Sequence, residues 1–546
     1  MREDLEKAKK EREQKQQELE NQRIDNLVKM FVEYYISKLG IVTLVGFCKH
    51  AEISESFFKN RFGSVKEIYD LARKQYPESF TDIAVENFTN DDCQNEIKEV
   101  IKKNNRFIIT TAVTGCAVDE NALKSVKNYC KINKAELLIV VCSDPANSMG
   151  GYGTIDRLLK DEHIIMDDTE LNSNFFICAI KTTAKQINPT TGLSRIQKEG
   201  SFVFASPKQM LKMESISNTK LPHALMTTGA ITFPNYKSEK YGSGRTDYIA
   251  DSDHKMGAFV VEIQDEQVFH PRPIQFDENG SFCDFGKEYT GTTCKEVAPA
   301  AMIPGDWHSG ETDPKVVKAI KELAIKLKPK RIILHDVFNG MSINPYEKDN
   351  STLKCIRAEA GKLDIKEELA GVAKDLNMLA KLTDEVVVVK SNHDDFLNRY
   401  LSAGHFHNDS SNLRIGLELS IAILDKKDPL QVGVNESGVR METNIKWLRR
   451  DEDFKIAGIE CGAHGDKGPN GSRGNLASME KSYVKSVTGH SHAPGILRDA
   501  WAVGTSSYLQ LVYNVGPSSW LQTLCIIYEN GQRQLINIID GKYTIK

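Results

Sequence analysis

Residues able to do metal chemistry gather in five short segments of the second half of the chain. GDWHSG carries Asp306 and His308, HDVFNG carries Asp336, and KSNHDD carries Asn392, His393 and Asp394. CGAHGDKG then carries His464, and TGHSHAPG carries His490 and His492. Imidazole nitrogens mixed with carboxylate and amide oxygens are donors for divalent transition cations. Asp306/His308 and His490/His492 are spaced i, i+2, which in extended backbone turns both side chains to one side, so each pair can face one ion.

Such segments need elements that end beside one another. Apolar runs at 301–304, 331–334 and 386–389 read as strands, and the periodic stretch 315–327 reads as a helix. Each ligand segment follows a predicted strand, the end of an α/β sheet at which sites form. The same order occurs earlier: strand 107–111, helix 121–131, strand 137–142. Aligning RFIITTAVTGCAVDENALKSV with AMIPGDWHSGETDPKVVKAI sets Gly115 on Gly310, Asp144 on Asp336, Asn147 on Asn339 and Met149 on Met341. GAFVVEI from Gly257 echoes LQTLCII before Tyr528. We read an internal duplication, the alternative being that any two β-α-β units look alike. The alignment puts Thr111 and Val113 where Asp306 and His308 stand. It takes FASPKQ, with Pro207 and Lys208, as the counterpart of KSNHD, and finds no HxH in the first copy, where the chain reads SISN.

The five segments, in their order, resemble the signature of the calcineurin-like metallophosphoesterases: DxH, GD, GNH[DE], H, GHxH. The resemblance covers roughly residues 300–540. It departs at His335 and Ser391, which replace the glycines before Asp336 and Asn392. It implies a duplicated α/β sandwich of two sheets flanked by helices, degenerate over 102–290 and catalytic over 296–546. It implies two divalent cations, manganese foremost, with iron, zinc or magnesium as alternatives. Asp306, His308 and His492 would hold one, Asn392, His464 and His490 the other, and Asp336 would bridge. His393 would act on the phosphate as a catalytic group, with Asp394 orienting it.

Within that superfamily the catalytic half resembles the SbcD/Mre branch of DNA exonucleases. Its size, Lys/Asn/Ile-rich composition and paired halves are similar to a phage version, of the kind by which T-five-like phages destroy host DNA. The rival is a metallophosphatase or cyclic-nucleotide phosphodiesterase with an accessory domain. Three features favour DNA. Lys467 and Arg473 sit in a glycine-rich loop after His464, and Arg449 and Arg450 extend a basic stretch with Arg440 and Lys446 around Trp447. The third is TLVGFCKHAEISESFFKNRF, which resembles a helix-turn-helix and would offer Lys59 and Arg61 to DNA. A three-helix packing module is the other reading of residues 25–78. In it Leu27, Phe31, Tyr34, Tyr35 and Leu39 recur at helical spacing and Gly40 ends the helix. Residues 1–24 are a charged helical lead-in, either solvated or oligomerising.

A net charge of −4 excludes a broad nucleic-acid field, so DNA contacts must be local. The eleven cysteines, with no CxxC pair, read as reduced thiols. Apolar runs such as 137–142 are strand-length, so no membrane span is expected. The charged N-terminus argues against a secretory signal. A cytoplasmic enzyme, in the host cytoplasm if phage-encoded, and a homo-oligomer are expected.

Overall fold

The computed structural model describes residues 2–37, 42, 44–76, 79, 82–143, 153–198, 200–217, 220–237, 244–347, 349–450, 452–512 and 514–545. The expected positions of Leu39, Gly40, Asp144, Asn147 and Met149 lie outside these.

The charged lead-in and the first apolar stripe form one helix, Arg2–Ser37. Helices Leu44–His50, Glu55–Phe62 and Val65–Gln75 pack on its last turns around Phe31, Phe47, Phe58 and Ile68. The Ser54 hydroxyl accepts from Phe57 N at 3.2 Å, the N-cap that starts the second helix of the turn.

The remainder is an α/β layered structure in which two halves repeat one strand order. In the first half, strands His163–Ile165, Glu136–Cys142, Arg106–Val113, Gly257–Ile263 and Phe269–Gln275 form a sheet. In the second, Ile445–Trp447 precedes Glu385–Val388, Arg331–Leu334, Ala301–Ile303, Thr523–Ile527 and Arg533–Asn537. Parallel and antiparallel neighbours follow in the same sequence in both. The second sheet of each half also repeats: Thr169–Asn172, Phe175–Ile177, Ser201–Phe204, His223–Thr228 and Gln209–Glu214 against Lys455–Ile456, Ile459–Glu460, Ser486–Thr488, Ala500–Ala502 and Gly495–Leu497. These two sheets fuse into ten strands, because Gln209–Glu214 pairs antiparallel with Gly495–Leu497.

The central strands of the six-stranded sheet are buried on both faces, and successive residues enter different cores with the strand period of two. Ile303, Ile333 and Val387 face the core shared with the ten-stranded sheet. Met302, Ile332, Val386 and Val388 face helices Pro314–Leu327 and Ile365–Ala380. The halves are also tied by a buried network: Arg272 Nε donates to Asp284 Oδ1 at 2.8 Å, and Gln534 Nε2 donates to the same oxygen at 2.7 Å.

Candidate metal centre

Asp306, Asp336 and Asn392 follow the strands of the six-stranded sheet, and His464, His490 and His492 follow strands of the ten-stranded one. The five segments therefore meet where the two sheets of the second half open at the same end. Nε2 of His308 and Nε2 of His492 lie 3.0 Å apart, and His492 Nε2 lies 3.1 Å from Asp306 Oδ2. One ligand atom each from Asp306, His308, Asp336 and His492 falls within a 4.8 Å span, all four buried. Next to it, His464 Nε2 and His490 Nδ1 lie 2.9 and 3.0 Å from Asn392 Oδ1. His464 Nε2 is also 3.3 Å from Asp336 Oδ2, which is 3.8 Å from His308 Nε2. Asp336 thus stands between the two groups.

The donor set fits a cation. Buried Asp306 Oδ1 and Asp336 Oδ1 accept no protein hydrogen bond, a costly state that an ion would relieve. Imidazole lone pairs converging at 3.0 Å have the same need. Burial alone would raise the Asp336 carboxyl, but the surrounding imidazoles hold it well below the usual range. Burial pushes His308 down to about 3, keeping the imidazole neutral and able to act as a ligand. His464 goes the other way, to about 9, because the Asp336 carboxylate outweighs its burial.

The backbone does not follow the extended i, i+2 geometry expected from sequence. His308, Asp336, His490 and His492 have φ of 51°, 49°, 72° and 54°. Four non-glycine residues in the left-handed region store strain that clusters at functional sites. The segments are tight turns, so the ligands converge by turning instead of alternating. Gly489 is required beside them: a Cβ there would stand 2.1 Å from Asp306 Oδ1.

His393 joins the cluster, its ring 4.7 Å from that of His308. Its partner is not Asp394. His393 Nδ1 lies 2.8 Å from the Asn339 carbonyl oxygen, while Asp394 Oδ2 accepts from Ser391 N at 2.9 Å. Asp394 starts helix Asp394–Ser402 with its carboxylate turned back on the loop, where burial pushes it up to about 7. Asn339, which orients His393 through its backbone, carried no side-chain signal that a motif search would weigh. Trp520, edge-on to His492 at 4.1 Å, carried none either.

The predicted basic contacts divide. Lys467 and Arg473 are exposed, are joined by a backbone β-bridge across the glycine-rich loop, and line a cleft of about 860 Å³ together with Asn392 and His490. A second cleft of about 850 Å³ shares Lys467 and adds Lys426, Lys427 and Arg449. Arg450 is a different case from the open contact expected. It donates to Ser391 O at 2.7 Å, Asp395 Oδ2 at 2.6 Å and Asp466 Oδ1 at 2.8 Å. It therefore clamps the Asn392 loop to the His464 loop. On the N-terminal module, Lys59 lies 3.8 Å from Glu55 and Arg61 3.4 Å from Glu20, both at the surface.

In the first half Thr111 takes the place of Asp306. Thr111 N donates to Gly229 O at 3.2 Å and its carbonyl accepts from Ile231 N at 2.9 Å; Asp306 does the same with Gly504 and Ser506 at 3.2 and 2.8 Å. Ser206 N then donates to Thr111 Oγ1 at 3.1 Å, as His490 N does to Asp306 Oδ2 at 2.7 Å. FASPKQ is therefore the counterpart of GHSH and not of KSNHD, since it follows the strand equivalent to Ser486–Thr488. Ser206 and Lys208 occupy the places of His490 and His492. The buried Lys208 ammonium donates to Asp253 at 2.9 Å.

The chain is similar to Protein A1 of Escherichia phage T5, with 29% identity over 472 residues that cover 81% of this chain and 83% of that protein. This agrees with the phage likeness read from the sequence. No protein-family profile and no solved structure matches the chain. No described helix is long and apolar enough to cross a membrane.

Proposed function

We propose that the chain is a metal-dependent DNA nuclease, hydrolysing phosphodiester bonds at a two-cation centre on a calcineurin-like sandwich. Residues 296–546 form the catalytic half and residues 102–290 a copy that has lost its ligands. The observation that carries this reading is a pair of ligand groups on either side of one carboxylate. Nε2 of His308 and His492 converges with Asp306, His464 and His490 converge on Asn392 Oδ1, and Asp336 faces both.

Two cations held there, manganese foremost, supply charge for the phosphate oxygens and lower the pKa of water. The chain's residues do the rest. With the Asn339 carbonyl accepting from His393 Nδ1–H, Nε2 is the nitrogen that carries a proton to the leaving oxygen. Arg450 holds the Asn392 and His464 loops at their spacing. Lys467 and Arg473, beside Asn392 and His490, receive the flanking phosphates, and Arg449 extends the track. Lys59 and Arg61 would add DNA contacts from the helix-turn-helix module. The likeness to a phage protein supports phage origin, and a phage nuclease of this kind would act on host DNA in the host cytoplasm.

The test is purified protein with manganese on linear, circular and single-stranded DNA, beside an aryl phosphodiester. DNA cleavage abolished by a chelator is expected. Intact DNA alongside rapid turnover of a phosphopeptide or cyclic nucleotide would overturn the nuclease reading.

A further inference from the structure

Helix Leu413–Leu424 carries apolar side chains on both its inner and its outer face. Gly416, Leu419 and Ala422 are buried beneath it. Its outer face shows Leu413, Leu417, Ile421 and Leu424 with 39%, 49%, 59% and 81% of their surface exposed. The spacing of four, four and three places all four on one stripe along the helix. An unbroken apolar stripe on a charged protein marks a surface that is covered.

We propose that a second copy of this chain covers it, with the two helices Leu413–Leu424 packed antiparallel about a two-fold axis. The stripe is self-complementary in that arrangement: Leu413 meets Leu424 of the other copy, and Leu417 meets Ile421, twice each. Charge selects the direction. One flank carries Arg414 at the start, Glu418 in the middle and Asp425 just past the end, with Arg414 Nε 3.0 Å from Glu418. In an antiparallel pair like flanks meet head to tail, so each Arg414 faces Asp425 of the other copy. A parallel pair would set this charged flank against the opposite one, where Ser420 stands, and give neither Arg414 nor Asp425 a counter-charge. The helix is about 18 Å long at 1.5 Å per residue, so this contact lies at the small end of specific interfaces and predicts micromolar association. Ile423, Lys426 and Lys427 line the 850 Å³ cleft from the same helix end, so Arg414 of the second copy would add its charge to that rim.

The proposal does not rest on the nuclease reading. Sedimentation velocity of the full chain from about 1 to about 100 μM, the range of a micromolar dimer, tests it. Wild type should show concentration-dependent association, and Leu417→Glu and Ile421→Glu should abolish this contact while melting as wild type does. Ile325→Glu, an exposed apolar site on another helix, should change nothing. Arg414→Asp and Asp425→Arg should each weaken association at least several-fold, and the double exchange should restore it. A strictly monomeric wild type, an assembly whose order survives Leu417→Glu, or a double exchange weaker than either single one would each overturn it.

Discussion

Replacing Arg450 with alanine separates a clamp from a DNA contact. The guanidinium binds Ser391 O, Asp395 and Asp466 at 2.6–2.8 Å, and Asp466 is itself nearly buried. Asp395 is about a third exposed, so solvent screens that leg and it contributes little. The loss is then set by a buried carboxylate left without its cation and a carbonyl left without its donor, about 2–4 kcal/mol together. In a domain of about 250 residues that lowers the melting temperature by roughly 4–8 °C. The His464 and Asn392 loops would drift apart, so metal affinity and aryl-diester turnover should fall together. The slope of DNA affinity against salt should stay as in wild type. Arg473→Ala should do the reverse, removing about one unit of that slope and sparing diester turnover. Thermal melts, metal analysis and a salt titration on the two variants measure all of this. An Arg450→Ala protein with unchanged melting and metal content, but a shallower salt slope, would refute the clamp.

Asp336→Ala should lose metal and activity together, whereas His393→Ala should keep its metal and lose about 10²–10⁴ in rate; metal content of the purified variants decides, and metal loss from His393→Ala would undo the role given to it. Removing residues 1–78 should weaken DNA binding and leave aryl-diester turnover intact, with unchanged DNA affinity favouring a packing module. Lys208→Met strands Asp253 beside only Arg498 at 3.9 Å, so it should cost about 3 kcal/mol in denaturant unfolding while the folded fraction keeps its turnover. Burial would raise Asp284 and Glu262, but Arg272 overrides it and lowers both from 3.8 and 4.5. Their stabilisation is therefore complete above about pH 4.5 and fades as pH falls through the lowered values; Arg272→Met should flatten that acid limb in unfolding curves taken from pH 7 to pH 3.

The candidate ligand residues were legible because a metal centre would constrain residue type and order together, and few other uses place Asp, His, Asn and His-x-His after successive strands. Their backbone was not legible. Left-handed φ at His308, Asp336, His490 and His492 is imposed by the turns between two sheets, a tertiary demand that local spacing does not encode. Arg450 misled for a related reason. A basic residue beside a tryptophan reads as a surface contact until the two carboxylates that neutralise it are brought in from 55 and 16 residues away. The helices of the N-terminal module were legible because their signals, such as the Ser54 cap found in the structure, act within a few residues.

The repeat shows most clearly what sequence can misplace. Matching glycines put Thr111 on Asp306, and the backbone bonds agree. The later segment FASPKQ reads from the sequence as the counterpart of KSNHD, yet sheet order sets it against GHSH. Once moved, it accounts for the chemistry of the first half. Where the second half gathers two carboxylates and several imidazoles without a lysine or arginine among them, the first has threonine, serine and a buried lysine whose ammonium already faces Asp253. The Thr111 hydroxyl lies 2.6 Å from the Thr228 hydroxyl and accepts from Ser206 N, so the position that holds Asp306 in the other half is satisfied by neutral groups. A half built this way has no charge left for an ion to neutralise at those positions. Its fold persists because strand Gln209–Glu214 completes the ten-stranded sheet that carries His464, His490 and His492. Disrupting that seam, for example with Leu211→Pro opposite Ile496, should therefore lower metal retention in the other half, although no first-half residue is a ligand there; full metal content in that variant would show that the second half holds its centre alone.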